Sequence, residues 1–179
     1  MHPRLAETMS FVELQRRELL KSFEGVDGEL LCRRGTPDGW SVAEILEHLH
    51  MVEAGVARLI AKRAGQAREA GLREETSTSS VMPSFDQHAE FLNRTVLKSP
   101  PTVHPRANID INEALEGLES SREALRAAVV TADGLALGDI KHTHAVLGEL
   151  DLYQWLIFLG QHENRHRKQI ERTLKSIPA

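Results

Sequence analysis

Residues 151–166 read DLYQWLIFLGQHENRH, and this segment carries most of the information about the fold. Asp151 is followed three residues later by Gln154, the spacing at which two side chains exchange hydrogen bonds with the backbone of a first helical turn. The apolar residues that follow recur at intervals of three and four, which places them on one stripe of a helix: Leu152, Trp155, Leu156, Leu159, Ile170 and Leu174. The segment therefore predicts a long amphipathic helix that begins at Asp151 and stops at Pro178.

Three other segments carry the same helix-start signature ahead of apolar residues at helical spacing. The pairs are Ser10 with Glu13, Ser41 with Glu44, and Asp110 with Glu113. They predict helices over residues 10–24, from residue 41 to about residue 65, and from residue 110 to just before Gly134. Four amphipathic helices with little strand pattern between them indicate an all-α fold, namely a four-helix bundle of the up-and-down type.

The stretch over residues 63–108 does not follow this pattern. It contains several prolines and a Thr/Ser run at residues 76–80, and only residues 85–96 show helical spacing, with Ser84 as the expected cap. A connection of this length inside a bundle is either functional or mobile. We therefore expect a long connection between the second and third helices that contributes to the wall of a binding pocket.

Composition is that of a globular protein. The 179 residues carry 41% hydrophobic and 27% charged side chains, which suits one domain over residues 1–179. The longest apolar run, residues 152–160, is far shorter than the roughly 20 residues of a membrane helix, charged residues interrupt any leader, and Cys32 is the single cysteine. A net charge of -4 gives no electrostatic reason to expect nucleic acid. We therefore expect a cytoplasmic protein without a membrane or nucleic-acid partner.

Two of the nine histidines lie together on the fourth predicted helix. His162 and His166 are four residues apart, so both rings emerge from the side of the helix that also holds Leu159 and Ile170. Such a pair is a standard way for one helix to supply two metal ligands. The alternative is a pair at the edge of the core that is hydrogen-bonded to its neighbours.

The same segment also matches the HExxH motif of zinc proteases. Gln169 and Arg172 stand where the extended form of that motif needs Gly and His. No sheet is predicted for binding a peptide, and few residues follow His166. The sequence therefore does not favour a protease.

A third metal ligand would have to come from upstream, and His48 on the second predicted helix is the best candidate. It lies near the edge of the apolar stripe beside Val52, where the alternative is an interior histidine bonded to its neighbours. Three imidazoles from two helices leave a coordination position open, which is typical of a catalytic site and not of a structural one. We expect no ligand role for the other histidines, including His50 on the solvated side, His88 in the connection, and His142 and His144 in an exposed loop.

The sequence resembles the DinB-like family of four-helix metalloproteins, which includes thiol-dependent transferases. The resemblance rests on GWSVAE at residues 39–44, leading to His48, and on LDLYQWL at residues 150–156, leading to His162 and His166. It implies a metal site made of these three histidines, with nickel or zinc as the divalent ion. It also implies transfer of a low-molecular-weight thiol (bacillithiol, mycothiol or glutathione) to an electrophilic small molecule, and a homodimer.

Two other interpretations remain open: metal-dependent hydrolysis at the same site, and a non-catalytic metal-binding or structural bundle that acts through a partner. Glu163 is the carboxylate best placed to assist catalysis, because it faces the same interior side as the two ligands of its helix. Alternatively, it orients a ligand imidazole. A fourth protein ligand such as Glu163 or His88 would indicate a structural metal site instead of a catalytic one.

Overall fold

The computed structural model describes residues 1–95 and 99–177. Four long helices form a bundle: α1 (Pro3–Lys21), α3 (Val42–Glu69), α5 (Ile111–Ala132) and α6 (Leu152–Ser176). Shorter elements connect them: α2 (Gly28–Cys32), α4 (Asp86–Arg94), and a hairpin of β1 (Lys141–His144) and β2 (Gly148–Asp151). Helix α3 packs along α5 and α1 along α6, while α3 also contacts α6. The predicted four-helix bundle is confirmed, and no helix in the described ranges is long and apolar enough to cross a membrane.

Three of the four predicted helix starts are confirmed. Ser41 and Asp151 each make both hydrogen bonds of a capping box with the side chain three residues further on. The carboxylate of Asp110 caps α5 by accepting from two backbone N–H groups of its first turn. These caps satisfy donors that have no partner inside the helix.

The helix start predicted at Ser10 is wrong, because α1 begins at Pro3 and ends at Lys21. Proline suits the first turn of a helix, where its missing N–H costs nothing. The added turns bury Leu5 and Met9 in the core, so the apolar stripe of α1 begins upstream of Ser10. Burial of that stripe outweighs the local cap signal, and Ser10 lies exposed inside the helix.

The long connection contains more regular structure than its composition indicates. A 3₁₀ turn (Met82–Phe85) leads into α4, and a second one (Pro101–Val103) contacts α3. Helix α4 covers most of the short helix predicted at residues 85–96, but Ser84 does not cap it, since its hydroxyl donates to the Val81 carbonyl instead. Val96 and Pro178, two of the predicted helix ends, lie outside the described residues.

The β1–β2 hairpin lies where the sequence predicts an exposed loop. Its strands pair antiparallel from Lys141 opposite Asp151 to His144 opposite Gly148. Gly148 has a φ of 77°, a conformation that favours glycine. Strands of four residues are too short to show a clear alternation in sequence. The hairpin leads directly into the N-cap of α6.

A polar layer divides the core of the bundle into two apolar clusters. One cluster contains Val12, Val56, Leu125 and Leu159, and the other contains Leu19, Leu49, Leu118 and Ile170. Between them each long helix carries one charged side chain that is at most 5% exposed: Arg16, Glu53, Arg122 and Glu163. Two of these four residues, Glu53 and Glu163, lie on the helices α3 and α6 that carry His48, His162 and His166.

Candidate metal centre

Three imidazoles meet between α3 and α6. His48 lies in the second turn of α3, and His162 and His166 lie one turn apart on α6. The Nε2 atom of His162 lies 3.2 Å from Nε2 of His48 and 3.1 Å from Nε2 of His166. One ligand atom from each residue falls within 4.8 Å of the other two. The structure thus brings together the three residues that the sequence predicts as metal ligands.

Hydrogen bonds on the far side of two rings determine which nitrogen faces this centre. Nδ1 of His48 lies 2.7 Å from the carbonyl oxygen of Val103, and Nδ1 of His166 lies 2.8 Å from Oε1 of Gln169. Both partners are acceptors, so each Nδ1 carries the proton and leaves a lone pair on Nε2. Val103 belongs to the second 3₁₀ turn, so the long connection supplies one of these orienting bonds.

Burial keeps the three imidazoles neutral. It lowers the pKa of His48, and together with the neighbouring His166 and His48 it lowers the pKa of His162 well below its usual value. Burial and the adjacent His48 lower the pKa of His166 to about 3. A neutral imidazole with a free lone pair is the form that binds a metal ion.

This donor set fits a divalent transition metal. With metal–nitrogen bonds of about 2.0–2.1 Å, two ligands at a tetrahedral angle lie about 3.3 Å apart. The observed Nε2 separations of 3.1 and 3.2 Å are close to that value. Imidazole nitrogen suits zinc, nickel, copper and iron, whereas magnesium and calcium prefer oxygen ligands. The three histidines can therefore hold a metal ion of the imidazole-binding group.

The centre has three protein ligands and not four. In the part of the chain that the structure describes, His48, His162 and His166 form the one group of side chains with metal-binding spacing, and neither Glu163 nor His88 joins it. A set of three leaves a coordination position for water or substrate. His48 and His166 are buried, and His162 retains some solvent exposure.

Aromatic rings border the centre on two sides. Trp40 packs against His48 with 5.1 Å between ring centroids. Phe158 stacks on His162 at 5.4 Å, and His144 of the hairpin packs on Phe158 at 4.8 Å. These rings cover part of His48 and His162 with apolar surface, which strengthens electrostatic interactions beside it.

His144 is not the exposed loop residue that the sequence predicts, because the hairpin packs its ring against Trp155 and Phe158. Its Nδ1 accepts hydrogen bonds from the backbone N–H groups of Val146 and Leu147, both at 3.1 Å. Burial lowers the pKa of His144, and His88 lowers it further. The ring is therefore neutral and carries its proton on Nε2.

Comparison with known proteins identifies the family of this bundle. Residues 12–170 match the sequence pattern of the DinB superfamily. The chain belongs to the DinB superfamily. The uncharacterized protein YuaE of Bacillus subtilis (strain 168) is 26% identical over 172 residues, which cover 94% of this chain and 98% of that protein. The crystal structure of TT2238, a four-helix bundle protein, aligns with a TM-score of 0.63 at 19% identity over 94% of this chain and 98% of that one, which supports the fold.

The DinB resemblance inferred from sequence is therefore confirmed. The matched region includes both segments on which the resemblance rests, residues 39–44 and residues 150–156, together with His48, His162 and His166. In this DinB protein the three histidines converge with free lone pairs. The identity of the ion that they would hold, nickel or zinc, remains a prediction.

Glu163 of this DinB protein contacts two buried arginines. Its Oε1 accepts from Arg16 at 2.9 and 2.6 Å and from Arg122 at 2.8 Å. The carboxylate of Glu53 accepts from the same two side chains, from Arg16 at 2.8 Å and from Arg122 at 2.7 Å. Each arginine thus bridges both carboxylates, and we refer to Arg16, Glu53, Arg122 and Glu163 as the charge ring.

Burial and pairing act in opposite directions on the charge ring. Burial alone would lower the pKa of Arg16, but Glu163 and Glu53 raise it above its ordinary value. Burial raises the pKa of Glu163, and the two arginines offset part of that rise. Oε2 of Glu163 has no hydrogen-bond partner among the described residues. The orienting bonds on the imidazoles come from other residues, so Glu163 does not hold a ligand ring, and its catalytic role remains a prediction.

Sequence reasoning missed the other three members of the charge ring, although a signal was present. Each stands four residues after one apolar core residue and three residues before the next, where a helix of this kind usually places another apolar side chain. The triplets are Val12–Arg16–Leu19, Leu49–Glu53–Val56 and Leu118–Arg122–Leu125. Charged residues at three such core positions indicate buried ion pairs.

His50 is not on a solvated side of α3, contrary to the prediction. Its ring packs over Gly117 of α5, where an added Cβ would lie 3.2 Å from the ring, and its Nδ1 is buried. It lines a cleft of about 530 Å³ between α3 and α5, together with Glu47 and Arg106. This cleft contains none of the three converging imidazoles, so the metal centre, and not the cleft, is the candidate active site.

Proposed function

We propose that this protein is a metal-dependent enzyme that transfers a low-molecular-weight thiol to an electrophilic small molecule. The observation that carries the proposal is the open set of three converging Nε2 atoms, from His48, His162 and His166. Membership of the DinB superfamily supports it, because the resemblance to this family, which includes thiol-dependent transferases, rests on the segments that lead into these histidines.

A divalent ion held by the three imidazoles, with nickel and zinc as candidates, would supply a Lewis acid that lowers the pKa of a thiol or of water. The thiol sulfur gives up its proton to solvent and forms the new bond to the electrophilic carbon. The bond from that carbon to the leaving group breaks, and the leaving group departs with the electron pair. This step needs no oxidant or reductant.

Residues of this chain provide the orientation and the walls. Val103 and Gln169 hold two imidazoles with Nε2 toward the centre. Phe158 covers one face of His162 and brings the hairpin close to it, so we expect the electrophile to bind on this side. His144, one ring further out, presents a neutral N–H donor that suits an oxygen atom of the electrophile.

A cytoplasmic location belongs to the proposal, because low-molecular-weight thiols are kept reduced in that compartment. The homodimer implied by the family is likewise proposed. Static light scattering of the purified protein tests it, since a monomer mass at working concentration contradicts the dimer.

Hydrolysis at the same centre is the second candidate function. It is favoured by the unpartnered Oε2 of Glu163, an acceptor on the residue next to His162. In this case water replaces the thiol, and Glu163 receives its proton. A purely structural metal site has less support, because such sites usually close with four protein ligands.

Metal analysis of protein purified without a His tag tests the site. We expect about one nickel or zinc ion per chain after loading, and its loss in His48→Ala and in His162→Ala. His142→Ala, which removes an exposed imidazole of the hairpin, is the matched control and should keep the ion. Metal retained in His48→Ala would contradict the three-histidine site.

Activity of the loaded protein tests the reaction. Bacillithiol, mycothiol and glutathione are each offered with a chromogenic aryl halide, and release of halide is followed. Release that requires thiol and is lost in His162→Ala supports thiol transfer. Ester hydrolysis without thiol favours the second candidate, and a metal-loaded protein that catalyses neither reaction contradicts an enzyme of either class.

A further inference from the structure

The charge ring occupies four positions at which the bundle would otherwise place apolar side chains. Arg122 is fully buried, and the other three members are at most 5% exposed. The ring joins all four long helices, with one residue from each. The two arginines also donate hydrogen bonds to the backbone: Arg16 to the Leu118 carbonyl and Arg122 to the Val12 carbonyl.

Stability alone does not account for such a layer. Desolvation of buried ions costs about as much as their pairing returns, so apolar replacements of a complete buried ion network are often neutral or stabilising. A layer of leucines, however, tolerates sliding and rotation of one helix against another. The charge ring does not, because each guanidinium must reach both carboxylates at 2.6–2.9 Å.

Two members of the charge ring lie on the helices that carry the imidazoles. Glu163 directly follows His162 on α6, and Glu53 lies five residues after His48 on α3. A slip of α6 by one turn, about 5.4 Å, would break the bonds of Glu163 to both arginines. It would also separate the Nε2 atoms of His48 and His162, which now lie 3.2 Å apart.

We infer that the charge ring is a positioning device for the metal centre: it sets the register of α6 against α3 and so brings the three Nε2 atoms together. The inference rests on the proposed metal site. In the proposed thiol transfer its members are positioning residues, because the bonds of the ring run among the helices and not to the reacting atoms.

Replacement of the complete ring separates positioning from stability. In the variant Arg16→Met, Glu53→Leu, Arg122→Met, Glu163→Leu, we expect urea unfolding at or above the wild-type midpoint. We also expect zinc or nickel to bind at least tenfold more weakly. Arg73→Met removes an exposed arginine that pairs with Asp139, neither of which contacts the ring, and this control should bind the ion as the wild type does. A folded apolar-ring variant with wild-type metal affinity overturns the inference.

Nitrogen NMR of the histidine rings in metal-free protein gives a readout that does not depend on the metal. The wild type should show one sharp set of resonances for the three imidazoles, and the apolar-ring variant several sets or broadened ones. If the wild type binds no metal but this difference is seen, the proposed function fails while the positioning role stands. If the two spectra are alike, the positioning role is overturned.

Arg122→Lys decides the question if the apolar-ring variant does not fold. Lysine keeps the positive charge and the aliphatic stem but lacks the fork that bridges two carboxylates. We expect broadened imidazole resonances and weaker metal binding in a folded protein. Wild-type spectra and affinity in Arg122→Lys would contradict the inference.

Discussion

Acidification from pH 7.5 to pH 5.0 is expected to destabilise the metal-free protein through its buried histidines. Burial and His48 lower the pKa of His166 to about 3 in the folded protein, whereas a histidine in an unfolded chain has a pKa of about 6.5. Between these two values the unfolded chain binds more protons than the folded one. The free energy of unfolding therefore falls as the pH falls below about 6.5, and the loss is complete only below the folded pKa.

The two pKa values set the size of the effect for His166. Protonation of this residue in the unfolded chain favours unfolding by about 2 kcal/mol at pH 5.0 and by almost nothing at pH 7.5. A loss of that size lowers the urea midpoint by about 1 M. The pKa values of His48 and His162 are lowered as well, so the whole protein should lose more than this.

Urea unfolding of chelator-treated wild type and His166→Gln at the two pH values measures the contribution of His166. Glutamine is polar but does not titrate, so the variant should lose about 2 kcal/mol less than the wild type over the same interval. Other titratable groups contribute equally to both proteins, so their effects on the pH dependence largely cancel. The lowered pKa values of Glu44 and Glu75 change the free energy of unfolding mainly below about pH 4.5. An equal pH dependence in both proteins would refute a buried, neutral His166.

Three further substitutions test the packing and the site. Gly160→Ala would place a Cβ 2.3 Å from the ring of Phe11, so we expect the free energy of unfolding in urea to fall by about 1–3 kcal/mol. Phe11→Leu in the same chain should restore most of this loss. An unchanged urea midpoint would contradict this close contact of α1 with α6. Gln169→Leu removes the acceptor of the His166 Nδ1–H, and chelator competition should show metal affinity weakened about 10–100-fold, whereas an unchanged affinity would argue against an orienting role. Glu163→Gln leaves two buried arginines with one carboxylate and should cost about 3–5 kcal/mol of unfolding free energy; a variant of unchanged stability that has lost activity would instead identify Glu163 as the catalytic base.

Short-range signals in the chain are enough to predict the helices and the candidate ligands. The capping boxes at Ser41 and Asp151 form as expected, because both partners lie within one turn and need no tertiary contact. His162 and His166 share a face for the same reason, since four residues make one turn of any α-helix. Local sequence signals mispredict the structure where burial of apolar side chains outweighs them, as at Ser10. They also fail where a strand is too short to show alternation of apolar and polar residues, as in the β1–β2 hairpin.

Distances between remote segments depend on the folded bundle. His48 and His162 are 114 residues apart in the chain, and Arg16 and Glu163 are 147 residues apart. No local sequence pattern can therefore predict that the members of either pair are in contact. The partners of Glu163 illustrate this: its sequence context, HExxH, is that of a catalytic base, yet the folded bundle places the guanidiniums of Arg16 from α1 and Arg122 from α5 on its Oε1. Helix packing also brings the Val103 carbonyl to His48, which selects the nitrogen that faces the centre. Residue types and helical spacing thus identify the candidate ligands, whereas the packing of the helices determines which atoms meet.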